Sequence, residues 1–93
     1  MAWTVEFDKR ALKQFDRLQR AEQERVEDYL HNRVAKLASP RDLGAALKGS
    51  RYGELWRYRV GDLRLICQIL DGRLIVLVLE LGHRSSIYRH PAR

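Results

Sequence analysis

The sequence predicts an α+β domain in which two antiparallel N-terminal helices pack on one face of a small twisted, mainly antiparallel sheet. Three observations support this prediction. A short alternating segment opens the chain, two amphipathic helical patterns follow it, and three alternating segments come after them. The chain has 93 residues, the size of one domain, and 45% of them are hydrophobic. We therefore expect residues 1–93 to form a single folded domain.

The N-terminal half carries the first strand and both helices. Trp3–Phe7 alternates as a short strand, and Asp8 is suited to cap the helix that follows. The first helix is predicted to end near Gln19. The second is predicted to run from about Ala21 to Leu37, before Ser39-Pro40, because the residue before a proline avoids helical geometry. Apolar residues at helical spacing form a stripe on each helix, to which we assign a core role: Ala11, Leu12, Phe15 and Leu18, then Val26, Tyr29, Leu30, Val34 and Leu37.

The C-terminal half begins with a connector, Arg41–Gly53, and continues with three strands. A tight turn at Gly61-Asp62 joins the first two strands, and Asp71-Gly72 predicts a type I′ hairpin between the last two. The third strand is apolar on both faces, which predicts a central strand buried on both sides. The three predicted strands are Glu54–Val60, Leu63–Leu70 and Arg73–Leu81.

Arginines on the first hairpin are the most informative feature of the chain. With a two-residue turn, Arg59 lies directly opposite Arg64, and Arg57 shares their face because side chains alternate along a strand. Like charges opposed across a ladder are destabilising, so the arrangement predicts a polyanion on this face. Guanidinium groups match phosphate oxygens especially well. The alternative is a solvated polar face with salt bridges to Glu54 or Asp62.

The distribution of charge supports the same prediction. The net charge is +6. Residues 1–47 hold nine basic and eight acidic residues, a balance of +1, whereas residues 48–93 hold nine basic and four acidic residues, a balance of +5. The excess lies in the half that carries the arginine hairpin, as expected for a surface that binds nucleic acid or an acidic protein. The alternative is that the charge serves only solubility.

Cysteine usage and hydropathy bear on the compartment. The single cysteine, Cys67, excludes an internal disulfide framework and agrees with a reducing environment. It falls on the apolar face of its strand, so we interpret it as a small hydrophobe rather than a catalytic thiol. The N-terminus lacks the pattern of a signal peptide, and Leu74–Leu81 is too short to span a membrane. We therefore expect a cytoplasmic protein without a membrane partner.

The residue types present restrict the possible chemistry. The sequence has no Cys/His cluster with zinc spacing, no paired carboxylates typical of a magnesium nuclease, and no glycine-rich phosphate loop. A nuclease built from this chain would need no metal or other cofactor. Arginine, tyrosine and histidine side chains can support transesterification, in which the RNA 2′-hydroxyl attacks its own phosphate. The C-terminal tail offers His83, Arg84, Tyr88 and His90, which can fold over the arginines of the hairpin.

The chain resembles the RelE/ParE superfamily of toxins from bacterial type II toxin–antitoxin pairs. The helix pair and four segments carry the resemblance, which spans nearly the whole chain. The segments are Phe7-Asp8 at the end of the first strand, Leu47-Lys48-Gly49, Leu55–Arg64, and Gly82–Arg89. The resemblance implies a RelE-like fold, similar to microbial ribonucleases, and a metal-free endoribonuclease that cuts mRNA in the ribosomal A site and arrests translation. It also implies two partners: the 70S ribosome with its mRNA, and a cognate antitoxin held in a hetero-oligomer.

Roles follow residue by residue from this resemblance. Arg57 and Arg59 match two basic positions of the active strand, and Arg64 matches an arginine that stabilises the phosphate. Arg84 matches an acid or phosphate ligand, and Tyr88 matches a tyrosine that stacks on the substrate base. Some members have lysines where this chain has Arg57 and Arg59, and arginine is no plausible base. Proton transfer would then fall to Tyr88, His83 or His90. We assign RNA binding to Lys48, Arg51, Arg57 and Arg89.

Two other functions remain open from the sequence. The ParE branch shares the fold but acts on DNA gyrase by protein binding, without cutting RNA, and it usually lacks the full set of Arg64, Arg84 and Tyr88. A non-catalytic module that binds RNA or a protein partner is the third possibility. The sequence favours the RelE branch because all three residues are present.

Overall fold

The computed structural model describes residues 3–47 and 55–84 of the chain. It confirms the predicted α+β class, since two helical segments pack on one face of a five-stranded sheet. The strands are β1 (Thr4–Phe7), β2 (Ala45–Ala46), β3 (Leu55–Val60), β4 (Leu63–Leu70) and β5 (Ile75–His83), and the helices are α1 (Lys9–Asp16) and α2 (Arg20–Glu27).

The sheet has the strand order β1-β5-β4-β3-β2. β1 pairs with β5 in parallel, and the other neighbouring pairs are antiparallel, as a mainly antiparallel sheet requires. β5 is central, as its apolar run predicts, and Val76, Val78 and Leu81 are buried under the helices. The prediction that β5 is buried on both faces is wrong, however. Ile75 and Leu77 on the other face are only partly buried because both helices lie on one side of the sheet.

Capping groups set the starts of the two helices. The Asp8 carboxylate accepts a hydrogen bond from the Lys9 N–H at 2.7 Å, which confirms Asp8 as the N-cap of α1. α1 ends at Asp16 rather than near Gln19. Gln19 is instead the N-cap of α2, where its backbone N–H donates to the Glu22 carboxylate at 3.3 Å within a capping box. Its extended backbone at this position cannot also belong to the preceding helix.

The second helix is continuous but not regular. Beyond Glu27 it continues as a π-helical turn at Asp28–Arg33 and a 3-10 turn at Val34–Lys36. Helical backbone therefore ends one residue before the predicted Leu37, which is extended and leads towards Pro40. Apolar periodicity does not distinguish a π-helical turn from an α-helical one, so this feature appears only in the structure. Such turns are rare and occur frequently at functional sites.

The core lies between the helices and one face of the sheet. Tyr58 is fully buried there, and its hydroxyl donates to the Pro40 carbonyl at 2.5 Å. Cys67 is also fully buried, and this burial raises the pKa of its thiol, which agrees with a hydrophobic rather than nucleophilic role. The remaining core side chains are mainly those predicted from the helical stripes and strand alternation: Ala11, Val26, Leu30, Val34, Val60, Leu63, Leu65, Ile69, Val76, Val78 and Leu81. The core assignment of Leu12 is wrong, since this side chain is 49% exposed.

The two predicted hairpin turns have different outcomes. The Gly61-Asp62 turn is confirmed, with Gly61 at φ 59° and Val60 paired with Leu63. The two-residue turn at Asp71-Gly72 is wrong. A 3-10 turn at Asp71–Arg73 and left-handed Leu74 join β4 to β5 instead. Tertiary contacts favour the longer loop, since Leu74 packs against the core and its carbonyl accepts from the Thr4 N–H at 2.9 Å.

The connector contains one short strand that the sequence did not predict. β2 extends the sheet by pairing Ala45 with Arg57 and Ala46 with Trp56. The Trp56 indole N–H donates to the Leu43 carbonyl at 2.7 Å, which holds the connector against β3. No helix in the described part of the chain is long and apolar enough to cross a membrane.

Candidate nucleic-acid interface

The β3–β4 hairpin brings three arginines to the sheet face opposite the helices. Arg59 pairs directly with Arg64, and Arg57 pairs with Ile66, so the predicted register is confirmed. Their neighbour Tyr58 points into the core, and strand alternation turns the arginines away from it. We call Arg57, Arg59 and Arg64 the arginine face.

Burial differs sharply among these three side chains. Arg59 is exposed and Arg57 is partly buried, whereas Arg64 is only 7% exposed. The Arg64 Nη1 group donates to the Gly61 carbonyl at 3.2 Å and to the Leu63 carbonyl at 3.1 Å. Backbone carbonyls of its own turn therefore hold the guanidinium group. They satisfy hydrogen bonds and orient the group, but they do not neutralise its charge.

The described residues test part of the alternative of a salt-bridged polar face, at Arg59 and Arg64. Within residues 3–47 and 55–84, neither Arg59 nor Arg64 forms an ion pair with a carboxylate. Asp62, one of the two predicted partners, is exposed in the turn and pairs with neither, and Glu54 lies outside the described residues. A buried arginine usually has an acidic partner. Within the described ranges, Arg59 and Arg64 therefore keep positive charge available for an anion.

The end of β5 brings Arg84 towards the same turn. Its backbone N–H donates to the Asp62 carbonyl at 2.9 Å, and its side chain is exposed. Arg84 therefore leaves the sheet beside the β3–β4 turn, next to the strand ends that carry Arg59 and Arg64.

His83 lies on the other side of the sheet. It pairs with the core residue Leu63, and its Nε2 atom lies 2.9 Å from the Glu22 carboxylate on α2. The hydrogen bond from His83 is the main cause of a lowered pKa of the Glu22 carboxyl, with smaller contributions from Gln19 and from nearby positive charge. This geometry separates His83 from the arginine face. Its assignment to proton transfer stays a prediction that the geometry does not favour.

Other predicted site residues lie outside the described residues. The structure gives no position for these members of the predicted site, and their roles stay predictions: Lys48, Arg51, Tyr88, Arg89 and His90.

The structure adds two basic residues that the sequence analysis missed. Arg25 and Arg33 of the second helix line a groove of about 600 Å³ beside the β3–β4 turn, together with Arg59 of the arginine face. The sequence analysis assigned this helix to the core alone. A signal was present, since Arg25, Tyr29 and Arg33 recur at a spacing of four residues and so share one side of a helix.

Metal-ligand residues do not converge in the described part of the chain. No three His, Cys, Asp or Glu side chains among these residues form a group that could hold a metal ion. The described part of the site consists of guanidinium groups and backbone carbonyls. Such a site can bind phosphate and stabilise developing negative charge.

A small α+β domain with helices on one sheet face and a cluster of arginines on the other is suited to bind an anionic macromolecule. A family model described as the ParE toxin of type II toxin–antitoxin system, parDE, matches residues 5–88. The chain belongs to this RelE/ParE superfamily of toxins, as its hairpin and tail predicted.

Two curated relatives come from the RelE branch. The mRNA interferase toxin RelE of Escherichia coli (strain K12) is 32% identical over 90 residues, which cover 95% of this chain and 92% of the relative. The mRNA interferase RelE of Shigella flexneri has the same identity and coverage.

Solved structures share the fold. The isolated E. coli RelE toxin is 30% identical, with a TM-score of 0.67 over 95% of this chain and 92% of that chain. A chain of the RelBE2 toxin–antitoxin complex from Mycobacterium tuberculosis has a TM-score of 0.80 at 22% identity, over 91% of this chain and 94% of that chain. This second similarity supports the fold alone. Together the comparisons confirm the predicted RelE-like architecture.

Proposed function

We propose that this protein is the toxin of a type II toxin–antitoxin pair and acts as a ribosome-dependent endoribonuclease that cleaves mRNA in the A site. The observation that carries the proposal is the register of the hairpin, which sets the buried Arg64 opposite Arg59 with no carboxylate of the described residues to neutralise either. The kinship with mRNA interferases of the RelE branch supports RNA as the anion.

The proposed reaction is a metal-free transesterification. The 2′-hydroxyl loses its proton to a base and attacks the adjacent phosphorus, which yields a 2′,3′-cyclic phosphate. The 5′-oxygen of the next nucleotide leaves and takes up a proton from an acid. Negative charge grows on the phosphoryl oxygens in the transition state, and the oriented Arg64 guanidinium would stabilise it there.

Proton transfer must come from outside the arginine face. Arginine stays protonated at working pH, so Arg57, Arg59 and Arg64 bind and neutralise phosphate without acting as a base. We assign the role of phosphate ligand to Arg84, which leaves the sheet at the β3–β4 turn, because a guanidinium that stays protonated is a poor acid as well as a poor base. The base is then Tyr88 or His90, because His83 is bonded to Glu22 on the helix side.

We assign to the toxin a cognate antitoxin with an acidic or amphipathic segment. Solved relatives include an intact E. coli RelBE toxin–antitoxin complex. The sheet face that carries the arginines also carries partly buried apolar side chains, including Ile66, Leu70, Ile75 and Leu77. A partner with both acidic and apolar groups would cover both parts of this face. In the cytoplasm, such a hetero-oligomer would keep the toxin away from the ribosome.

Inducible expression tests the catalytic assignment. The double variant Arg64→Ala with Arg84→Ala should relieve growth arrest, because it removes two phosphate ligands. Arg17→Ala with Arg73→Ala is the matched control, since both arginines are exposed and neither belongs to the arginine face. Primer extension should show codon-phased cuts in translated mRNA for the wild type and the control only. Equal growth arrest from all three proteins would contradict the assignment.

The name of the matching family model favours one alternative, a ParE-type toxin that inhibits DNA gyrase by protein binding. The same expression experiment separates the two functions. DNA breaks with intact mRNA would favour gyrase inhibition, whereas intact DNA with cut mRNA would favour the endoribonuclease.

A further inference from the structure

A groove of about 600 Å³ lies between the second helix and the end of β3, on the flank of the arginine face. Three guanidinium groups line it, from Arg25, Arg33 and Arg59. Two carboxylates also line it, from Glu24 and Asp28. The formal charge of the lining is therefore close to neutral, and the binding property depends on how these groups are paired.

The carboxylates of the groove are engaged elsewhere. Glu24 pairs with Arg20 at 3.5 Å, and Asp28 accepts a hydrogen bond from the Asn32 amide at 2.7 Å. Among the described residues, by contrast, none of the three groove arginines forms an ion pair with a carboxylate. Asp28 keeps its charge, because a neutral amide does not cancel it, and Glu22 interacts with Arg25 through space. Within the described residues the lining still keeps a small excess of positive charge, since three guanidinium groups face the carboxylates of Glu24 and Asp28 and the first of these is paired with Arg20.

The aromatic ring of the groove, Tyr29, already contacts two other side chains. The Arg33 guanidinium lies over the Tyr29 ring, 5.1 Å from its centroid. The same ring meets Tyr58 edge-on, with 5.8 Å between centroids. A base would have to displace Arg33 to stack on Tyr29, so the groove is suited to phosphates rather than bases. Recognition there would not depend on nucleotide sequence.

The groove and the arginine face meet at Gly61. Arg25 Nη1 lies 3.4 Å from the position that a Cβ atom would take at Gly61. From the other side, Arg64 Nη1 donates to the carbonyl of the same glycine at 3.2 Å. Arg59 belongs to both surfaces, because it lies opposite Arg64 and also lines the groove. Positive charge is thus continuous around the edge of the hairpin.

We propose that this groove binds RNA phosphates and extends the arginine face into one continuous track for an RNA backbone. The inference rests on the proposed function, since it concerns the RNA that the toxin meets on the ribosome. The π-helical turn at Asp28–Arg33 contributes by placing Tyr29 and Arg33 beside the β3–β4 turn. The phosphates belong either to the message next to the cleavage site or to ribosomal RNA.

Equilibrium binding tests the inference without requiring cleavage. The toxin is titrated with ribosomes that carry a message with a 2′-deoxy nucleotide at the scissile position, which lacks the nucleophile. Arg25→Gln with Arg33→Gln should weaken binding about tenfold or more at low salt. It should also reduce the slope of log affinity against log salt by about 1.5, since each lost phosphate contact removes about 0.7–0.9 from that slope.

Two further variants serve as controls. Arg17→Gln with Arg73→Gln removes the same charge from exposed positions outside the groove and should change neither quantity appreciably. Arg25→Lys with Arg33→Lys keeps the charge and should keep most of the salt dependence. A groove variant that binds like the outer control would overturn the inference. So would a lysine variant with the same loss as the glutamine variant, because charge would then not be the cause.

A truncated message distinguishes the two sources of phosphate. On ribosomes whose message ends at the P-site codon, a persistent defect of the groove variant assigns the groove to ribosomal RNA. A defect that disappears assigns it to the message. A variant that loses affinity only for the antitoxin would overturn the inference in favour of a protein-binding groove.

Different results would contradict the proposed function and the groove proposal. A wild-type toxin that does not bind ribosomes would overturn both proposals. A wild type that binds but leaves an all-ribose message uncut would overturn the endoribonuclease alone.

Discussion

At Arg64, the charge that suits the site to bind phosphate is unfavourable for the stability of the fold. It is 7% exposed, faces another arginine across the ladder, and is held by the carbonyls of Gly61 and Leu63. These bonds fix the guanidinium group, but carbonyl groups do not neutralise its charge. Such a group stabilises charge that develops on a phosphate only in the transition state. Like-charge opposition makes the arrangement unfavourable for folding.

Replacement of Arg59 tests this conflict directly. Arg59→Thr should raise the free energy of unfolding by about 0.2–1 kcal/mol at low salt, because it removes the charge opposite Arg64. The gain should shrink as salt screens the repulsion in the wild type. Urea denaturation at two salt concentrations measures both effects. Arg73→Thr, at an exposed loop position, should show no such dependence on salt. A gain that does not change with salt would contradict the proposed repulsion.

At the scale of elements, the connector positions the arginine-bearing strand. β2 pairs Ala45 with Arg57, and Trp56 donates to the Leu43 carbonyl. Gly44 makes this close approach possible. Its φ is 76°, and a Cβ atom there would collide with the Arg57 carbonyl oxygen and lie 2.8 Å from the Trp56 indole nitrogen. Periodicity did not predict β2, because two alanines beside a glycine carry no strand pattern of their own.

A glycine pair tests this positioning. Gly44→Ala should destabilise the fold by at least about 1–3 kcal/mol, the cost of a left-handed backbone without glycine, and the collision should add to it. Gly72→Ala is the matched control, because nothing lies within 4 Å of a Cβ atom at that position. Thermal unfolding of both variants measures the difference. Equal melting temperatures would contradict the role assigned to Gly44.

At the scale of the molecule, the helix layer and the sheet are joined at the end of β5. His83 contacts Glu22 of α2 at 2.9 Å, and Glu22 also takes part in the capping box of that helix. The hydrogen bond keeps the pKa of the Glu22 carboxyl below its ordinary value of 4.5. A lowered pKa in the folded state adds stability that is present above pH 4.5. That stability is lost as the pH falls through the lowered pKa.

The variant Glu22→Gln should therefore flatten the loss of stability in acid. Its urea midpoint should fall less steeply than that of the wild type below pH 4.5, the ordinary pKa of this carboxyl. Glu27→Gln changes an exposed carboxylate on the same helix and serves as the control. Parallel curves for the wild type and Glu22→Gln would show that the contact does not couple the two layers.

The sequence by itself determined the α+β class, the Asp8 cap of α1 and the register of the arginine hairpin. These depend on local physics: apolar periodicity, a capping carboxylate and a two-residue turn that sets which side chains face one another. A similar argument failed at Asp71-Gly72, where the packing of Leu74 overrides the local turn preference.

Only the tertiary structure decided which charged side chains are buried, paired or brought together. It buried Arg64 without an acidic partner among the described residues, and it turned His83 towards Glu22 on the helix side. It also brought Arg25 and Arg33 from a nearly neutral half of the chain to the edge of the arginine face. Net charge cannot reveal this, because it counts carboxylates without showing which ones are already engaged. Whether an arginine is paired with a carboxylate depends on the distance between the two groups in the folded chain. Residues far apart in the sequence set that distance, so the order of residues does not show it.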